Sequence, residues 1–252
     1  MEIIIGVISG LITFGVIELV RFGYFKSVYR KFKAVFGDDI VLSDGFHLVY
    51  AELLLPPDIT TERYPYSKPG TNSQFRFSIE RPISSCEIRA AKYLSETIAK
   101  ETRSGVSLSS DIELKNQLDI SFITFGGPTS NLKTKDVIDN ISNNLVKFDN
   151  TKFTSARTGK NVLKPEVGYD YGLILKIRPS QFPNRTWFTC AGIGEWGSSG
   201  AAWYLAKKWR EINAFAANSP FALIVRVKQN QDQSAESVLQ VKRPEDLARY
   251  EE

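Results

Sequence analysis

The sequence predicts an α/β domain built on a mixed sheet flanked by helices and preceded by one N-terminal transmembrane helix. Three features carry that expectation. Residues 3–25 are mostly apolar, with Glu18 and Arg21 near the end. Short apolar runs alternate with amphipathic helical stretches over the remainder. Two of those runs, within residues 119–131 and 186–209, break into glycine and then into a helix pattern.

The N-terminal segment comes first. As a helix, residues 3–25 would extend about 35 Å, enough to cross a hydrocarbon core, the alternative being a helix that lies on a surface or packs against protein. Met1-Glu2 supplies no basic start and no small-residue cleavage site follows, so the segment reads as retained rather than as a cleaved signal peptide. Arg21, Lys26, Arg30, Lys31 and Lys33 lie on its C-terminal side, suited to anionic headgroups. By the positive-inside rule they put the large domain in the cytoplasm, in a single-pass protein of the cell inner membrane. Gly6 and Gly10 form a GxxxG pair, which points to homo-oligomer formation through the helix or simply reflects the glycine content of membrane helices. The chain thus divides into a transmembrane helix at 1–25, a basic juxtamembrane connector at 26–45 and an α/β ligand-binding domain at 46–252.

Within the domain, residues 46–55 read as a strand, the proline-rich stretch 56–70 as a long loop and residues 75–79 as a short strand. Ser84-Ser85-Cys86-Glu87 matches a capping box, with Ile88, Ala91, Leu94 and Ile98 on one face of the helix that follows. A brief strand at 105–108 and a buried one at 120–125 lead to Gly126-Gly127-Pro128, with Thr129 or Ser130 capping a helix over 133–144. Residues 146–153, 169–178 and 186–191 are strands, the last two a hairpin. A helix over 199–215 presents Ala202, Leu205, Trp209 and Ile212 on one side, and strands at 221–227 and 238–241 flank a polar turn.

Composition narrows the chemistry. A net charge of +4 concentrated beside the apolar segment argues against nucleic acid as a partner. Two cysteines, Cys86 and Cys190, fall far short of a disulfide scaffold and fit a reducing compartment. His47 is the sole histidine and sits in a strand pattern, which favours a packing role; no metal site and no cofactor are expected.

The candidate ligand-binding residues are those of the two glycine turns: Gly126, Gly127, Ser130 and Asn131 in the first, and Gly192, Gly194, Glu195, Trp196, Gly197, Ser198 and Ser199 in the second. Glycine lets backbone approach a ligand, and a helix N-terminus offers N–H groups to an anion. The same glycines also serve close packing of a helix on a sheet, and Ser198 and Ser199 serve as helix caps. Gly192-Ile193-Gly194-Glu195-Trp196-Gly197 satisfies G-x-G-x-x-G, but too little chain follows for a complete dinucleotide-binding half. Asp111, Asp170 and Glu195 lie near strand ends, in turn or capping roles or, for Glu195 and Asp111, as a catalytic pair acting on a glycosidic bond.

ITFGGPTSN, DYGLILKI and CAGIGEWGSSGAAWYL together resemble an uncharacterised group of bacterial Rossmann-like domains. In architecture, a membrane helix joined to such a domain is similar to the SLOG-type and TIR-type effectors and sensors of bacterial conflict systems. The PGGxGTxxE signature of LOG-type hydrolases is absent. The resemblance implies a Rossmann-like mixed sheet and a membrane-anchored sensor or effector in antiviral signalling that binds a nucleotide or related phosphorylated small molecule. The alternatives are a membrane-tethered hydrolase of nucleotide or NAD glycosidic bonds, and a scaffold that binds protein through Trp196, Tyr204 and the 56–70 loop.

Overall fold

The computed structural model describes residues 2–41, 45–53, 64–67, 74–77 and 81–251, with the side chains of 2–13, 21, 64–67 and 74–77 excepted. It is an α/β fold. In chain order the elements are α1 (Glu2–Phe36), β1 (Phe46–Tyr50), β2 (Tyr64–Ser67), β3 (Gln74–Phe77), α2 (Ser85–Thr102), β4 (Ser107–Ser110), β5 (Ser121–Phe125), α3 (Leu132–Asp139), β6 (Val146–Phe148), β7 (Phe153–Ser155), β8 (Tyr169–Ile177), β9 (Trp187–Ile193), α4 (Glu195–Lys207), α5 (Trp209–Phe215), β10 (Phe221–Lys228) and β11 (Gln231–Val241). Seven strands form one mixed sheet in the order β11-β10-β8-β9-β5-β1-β4. The run β9-β5-β1-β4 is parallel, and β8, β10 and β11 join it antiparallel.

Strand side chains alternate between faces, and the sheet uses both. Ile174, Leu223, Val225 and Val227 face a core shared with α1, α2, α4 and α5. Leu173, Leu175, Ala222 and Ile224 face a second core with α3 and the β6–β7 hairpin. On β8 the first of these faces carries Asp170, Gly172, Ile174 and Lys176, so one strand reaches in turn the start of α4, its underside, the core and the end of α1.

Helix α1 is continuous through both the expected transmembrane segment and the expected connector. Its last turns belong to the domain: Phe32, Val35 and Phe36 are fully buried, with the Phe32 ring edge-on to Trp209 at 5.0 Å and Phe36 at 5.7 Å from Phe188. Residues basic enough to read as a solvated connector therefore carry an apolar stripe that packs. Farther up the helix Phe14, Val16, Ile17, Leu19, Val20 and Phe22 are all more than half exposed. Among the described residues no helix is long and apolar enough to cross a membrane. The side chains of 2–13, including Gly6 and Gly10, lie outside the described residues.

Several elements differ from expectation, each for a local reason. The strand at 46–55 stops at Tyr50, because the Ala51 and Glu52 N–H groups donate to the carboxylates of Glu87 and Asp111 instead of to a neighbouring strand. The expected loop 56–70 contains β2, paired antiparallel with β3; Pro65 is tolerated because a two-stranded ribbon has only edges. The remaining loop residues 56–63 and 68–70 lie outside the described residues. The expected strand 146–153 divides into the β6–β7 hairpin, with Asn150 at φ 76° in its turn. The polar turn after β10 is only Gln229-Asn230, with Asn230 at φ 63°, and β11 begins at Gln231. The final long helix starts at Glu195, four residues earlier than its apolar pattern suggests, and breaks at Lys208 into α4 and α5.

That early start reassigns the glycines. Gly192 lies in β9 and Gly197 and Gly200 lie in α4, leaving Gly194, at φ 80°, as the turn. A methyl group on Gly197 would lie 2.2 Å from the Tyr171 carbonyl oxygen, one on Gly192 2.4 Å from Gly197 backbone, and one on Gly172 2.1 Å from the Gly197 carbonyl oxygen. These glycines let helix backbone rest directly on strand backbone. Gly197→Ala is accordingly expected to lower the unfolding free energy by about 1–3 kcal/mol, by overpacking. Denaturant unfolding measures this, and an unchanged midpoint would refute the packing role.

Candidate functional site

The parallel strands place their carboxyl ends along one edge of the sheet. The chain leaves β1 through α2 toward β4 on one side, and leaves β5 through α3 toward β8 and β9 on the other. Helices α2 and α3 cover opposite faces. The topological switch point thus falls between β1 and β5, where open α/β sheets leave a crevice for ligands.

Asn131 seals the floor of that crevice. Fully buried, it donates through Nδ2 to the Val49 carbonyl at 3.3 Å and the Phe125 carbonyl at 2.9 Å, tying the ends of β1 and β5 together. Its Oδ1 accepts from the N–H groups of Lys133 and Thr134, so Asn131, rather than Thr129 or Ser130, caps α3. Asp111, 1% exposed, accepts from Glu52 N–H at 2.9 Å and from Leu132 N–H at 2.8 Å. Ser130 instead donates to the Gly127 carbonyl at the exposed rim.

Glu87 enters from α2. The expected capping box does not form: Ser84 occupies the N-cap position, but its hydroxyl pairs with Cys86 Sγ at 3.0 Å instead of capping a helix N–H, and Glu87 turns toward the sheet and accepts from Ala51 N–H at 2.8 Å. It lies close above Gly126, where a methyl group would come within 2.5 Å of Oε1; Gly126 is also at φ 81°, so glycine is required there twice over. Burial pushes the Glu87 carboxyl up to about 7, opposed by the Ala51 hydrogen bond and assisted by the negative charge of Asp111. Beside it, between α2 and strands β1 and β4, runs a largely apolar groove of about 250 Å³ whose walls include Leu48, Tyr50, Ile88, Ala91 and Leu108.

The second glycine turn is engaged differently. Asp170 Oδ2 accepts from Trp196 N–H at 2.9 Å at the start of α4, and its Oδ1 accepts from Gln229. The Arg89 guanidinium lies 4.0 Å from the centre of the Trp196 ring, pairs with Asp232 at 3.1 Å and donates to Ser199. Ser199 and Tyr93 also donate to Asp232, and Ser85 donates to Glu195 at 2.8 Å. Glu195, Trp196 and Ser199 therefore fasten α4 to α2. Ser198 and Tyr204, 4% and 5% exposed, are part of the same packing rather than an outer surface.

Two consequences follow for chemistry. The first-turn N–H groups of α3, which an incoming phosphate would use, already serve Asp111 and Asn131, and in α4 the Trp196 N–H serves Asp170. The edge also carries the acceptors Glu87, Asp111, Asp170, Glu195 and Asp232, with Arg89 paired to Asp232 and Arg81 paired to Glu52 among them. Such a surface suits ligand hydroxyl and amino donors, and a carboxyl that titrates near neutrality suits proton transfer. Asp111 and Glu195 are bonded to different partners; the carboxylate that feels Asp111 is Glu87.

Sequence reading missed Glu87, Arg89 and Asp232. Ser84-x-x-Glu87 matched a cap, and Asp232 fell in a stretch polar enough to read as turn. His47, expected to pack, pairs through Nδ1 with the Ser109 hydroxyl at 3.2 Å on the neighbouring strand.

A buried carboxyl raised above its ordinary value holds its proton in the folded state between pH 4.5 and about 7, where the unfolded chain has lost it. Stability from this group is therefore present at low pH and lost as pH rises through 7. Glu87→Gln removes the loss: the variant should gain on the parent between pH 5 and pH 8, by up to about 3 kcal/mol at 1.36 kcal/mol per pH unit. Urea unfolding at both pH values measures it, and a pH-independent difference would overturn the assignment. Comparison of the chain with protein-family models, curated proteins and solved structures returned no match.

Proposed function

We propose that the chain is a membrane-anchored sensor or effector whose domain binds a nucleotide or related small molecule in the crevice between β1 and β5. The observation that carries this reading is the convergence of Glu87, Asp111, Asn131 and the Gly126 turn on the switch point, beside a groove of ring-like dimensions. A base or comparable flat ring lies in the apolar groove, and its polar edge meets Glu87. Sugar hydroxyls face the acceptor-rich rim, and any phosphate extends away from the acids, past Ser130. The membrane reading draws on residues 14–25 of α1, where Phe14, Val16, Ile17, Leu19, Val20 and Phe22 are each more than half exposed, with Glu18 and Arg21 in the same stretch. A run of large exposed apolar side chains favours an apolar surround. The basic residues that follow support a cytoplasmic side for the domain by the positive-inside rule.

The test is a thermal-shift screen of the whole chain in neutral detergent with nucleosides, nucleotides and NAD. A ligand at 100 times its dissociation constant adds about 2.7 kcal/mol of stability. A nucleoside is expected to stabilise at least as strongly as its triphosphate, and the effect should be lost in Gly126→Val, whose own unfolding midpoint is compared without ligand. Failure of every compound to shift the midpoint would end this reading.

One observation favours a second reading, hydrolysis of a glycosidic bond. Glu87, its carboxyl pushed up to about 7 by burial beside Asp111, has the raised affinity for protons that a general acid needs. Free nicotinamide should then accumulate from NAD with the parent chain and not with Glu87→Gln. Absence of product from NAD and from nucleosides alike would exclude this hydrolase.

A further inference from the structure

On the opposite side of the domain from the carboxyl edge, the last turns of α1 and the loops after β8 and α5 enclose a recess of about 370 Å³. Lys26, Arg30 and Lys33 line it from α1, at i, i+4 and i+7, so that they share one helix face. Arg178 lines it from the end of β8, and Asp38 is its one acidic wall residue. Asp38 pairs with Lys33 at 2.8 Å. Among the described residues neither Lys26 nor Arg30 has an ion-pair partner. Arg178 donates through Nη2 to Asn218, while its Nε is the one buried side-chain nitrogen or oxygen among the described residues without a hydrogen bond.

Immediately beneath lies a further cation. Lys176 is fully buried, and its amino group donates to the carbonyls of Ala34 at 3.1 Å and Ala217 at 3.3 Å. No carboxylate among the described residues offsets it, and burial together with Arg178 pushes its amino group down to about 7. Ala34 itself lines the recess. A buried orphan donor and an uncompensated buried lysine are costly, and both costs fall when an anion is brought alongside.

We infer that this recess is an anion site for a phosphate group, held by Arg30, Lys26 and Arg178 at the base of α1. The chemistry is common to a phosphate monoester lipid headgroup and a free phosphate, and the position beside the exposed apolar length of α1 serves either. This site is separate from the switch-point crevice and does not depend on what binds there.

The test uses the whole chain in dodecyl maltoside, titrated with dioctanoyl phosphatidic acid, with inorganic phosphate and with uncharged dioctanoylglycerol, and read as binding by calorimetry. Phosphatidic acid is expected to bind, and dioctanoylglycerol is not. Arg30→Gln and Arg178→Gln should each weaken binding about tenfold, the worth of one charge-assisted hydrogen bond. Lys31→Gln, whose side chain is exposed on another face of α1, should leave it unchanged. Arg30 is exposed, so its variant tests the site even where Arg178→Gln disturbs the fold. Binding of phosphatidic acid alone assigns a lipid headgroup; equal binding of inorganic phosphate assigns a soluble source. Binding of neither, binding indifferent to Arg30, or equal weakening in Lys31→Gln overturns the proposal.

Discussion

The close approach of α4 to β8 and β9 sets the arrangement of everything around it. Gly172, Gly192 and Gly197 leave no room for a methyl group between helix and strands, and Gly200 lies so near Val227 that a methyl there would come within 2.4 Å of its side chain. Burial of ordinary side chains would hold a helix at 8–10 Å from its neighbour and let it slide. Backbone resting on backbone fixes its height, and with it the point at which the first turn rises over the sheet edge. Asp170 can cap that turn only because Gly194 brings Trp196 N–H down to it. The same height puts Ser199 and Trp196 level with Arg89 on α2, so the two helices share Asp232.

At the carboxyl edge the chain's own carboxylates and amides end its secondary structure. Glu87 and Asp111 take the N–H groups that would have continued β1, and Asp111, Asn131 and Asp170 take those that open α3 and α4. Buried acids are tolerable there because each accepts hydrogen bonds. The result is an edge with the switch-point geometry of an open α/β sheet and several carboxylate acceptors. The N–H groups that open α3, and the Trp196 N–H of α4, are satisfied by the chain's own side chains.

The layout of the sheet was largely legible. Runs such as 169–177 and 221–228 carry apolar residues on both alternating positions, the mark of a strand covered on two faces, and both are strands of the sheet. The start of α4 was not legible from periodicity, since Glu195-Trp196-Gly197-Ser198-Ser199-Gly200 holds two glycines, two serines and only one strong helix former, Glu195, and rests on the sheet beneath. Tertiary contact overrides propensity at that point. Likewise Ser84-x-x-Glu87 satisfies a local rule that the structure does not use, because Ala51 offers Glu87 a donor across the fold. Asn131 and Asp111 could be placed near strand ends by sequence, but their convergence depends on β4 lying beside β1, a long-range fact that no local pattern encodes.

Helix α1 spans 35 residues with no proline and no interruption, a rod of about 52 Å at 1.5 Å per residue. One end is clamped by Phe32 and Phe36 against Trp209 and Phe188, and its carbonyl terminus is gripped by Lys176. An unhinged rod of this kind transmits torque. A turn about its axis, or thrust along it, at the exposed end bears on the clamp, and so on α5 and β9. The fold therefore has a drive shaft joining its apolar N-terminal length to the interior of the sheet, and mechanical isolation of the two would require breaking the helix.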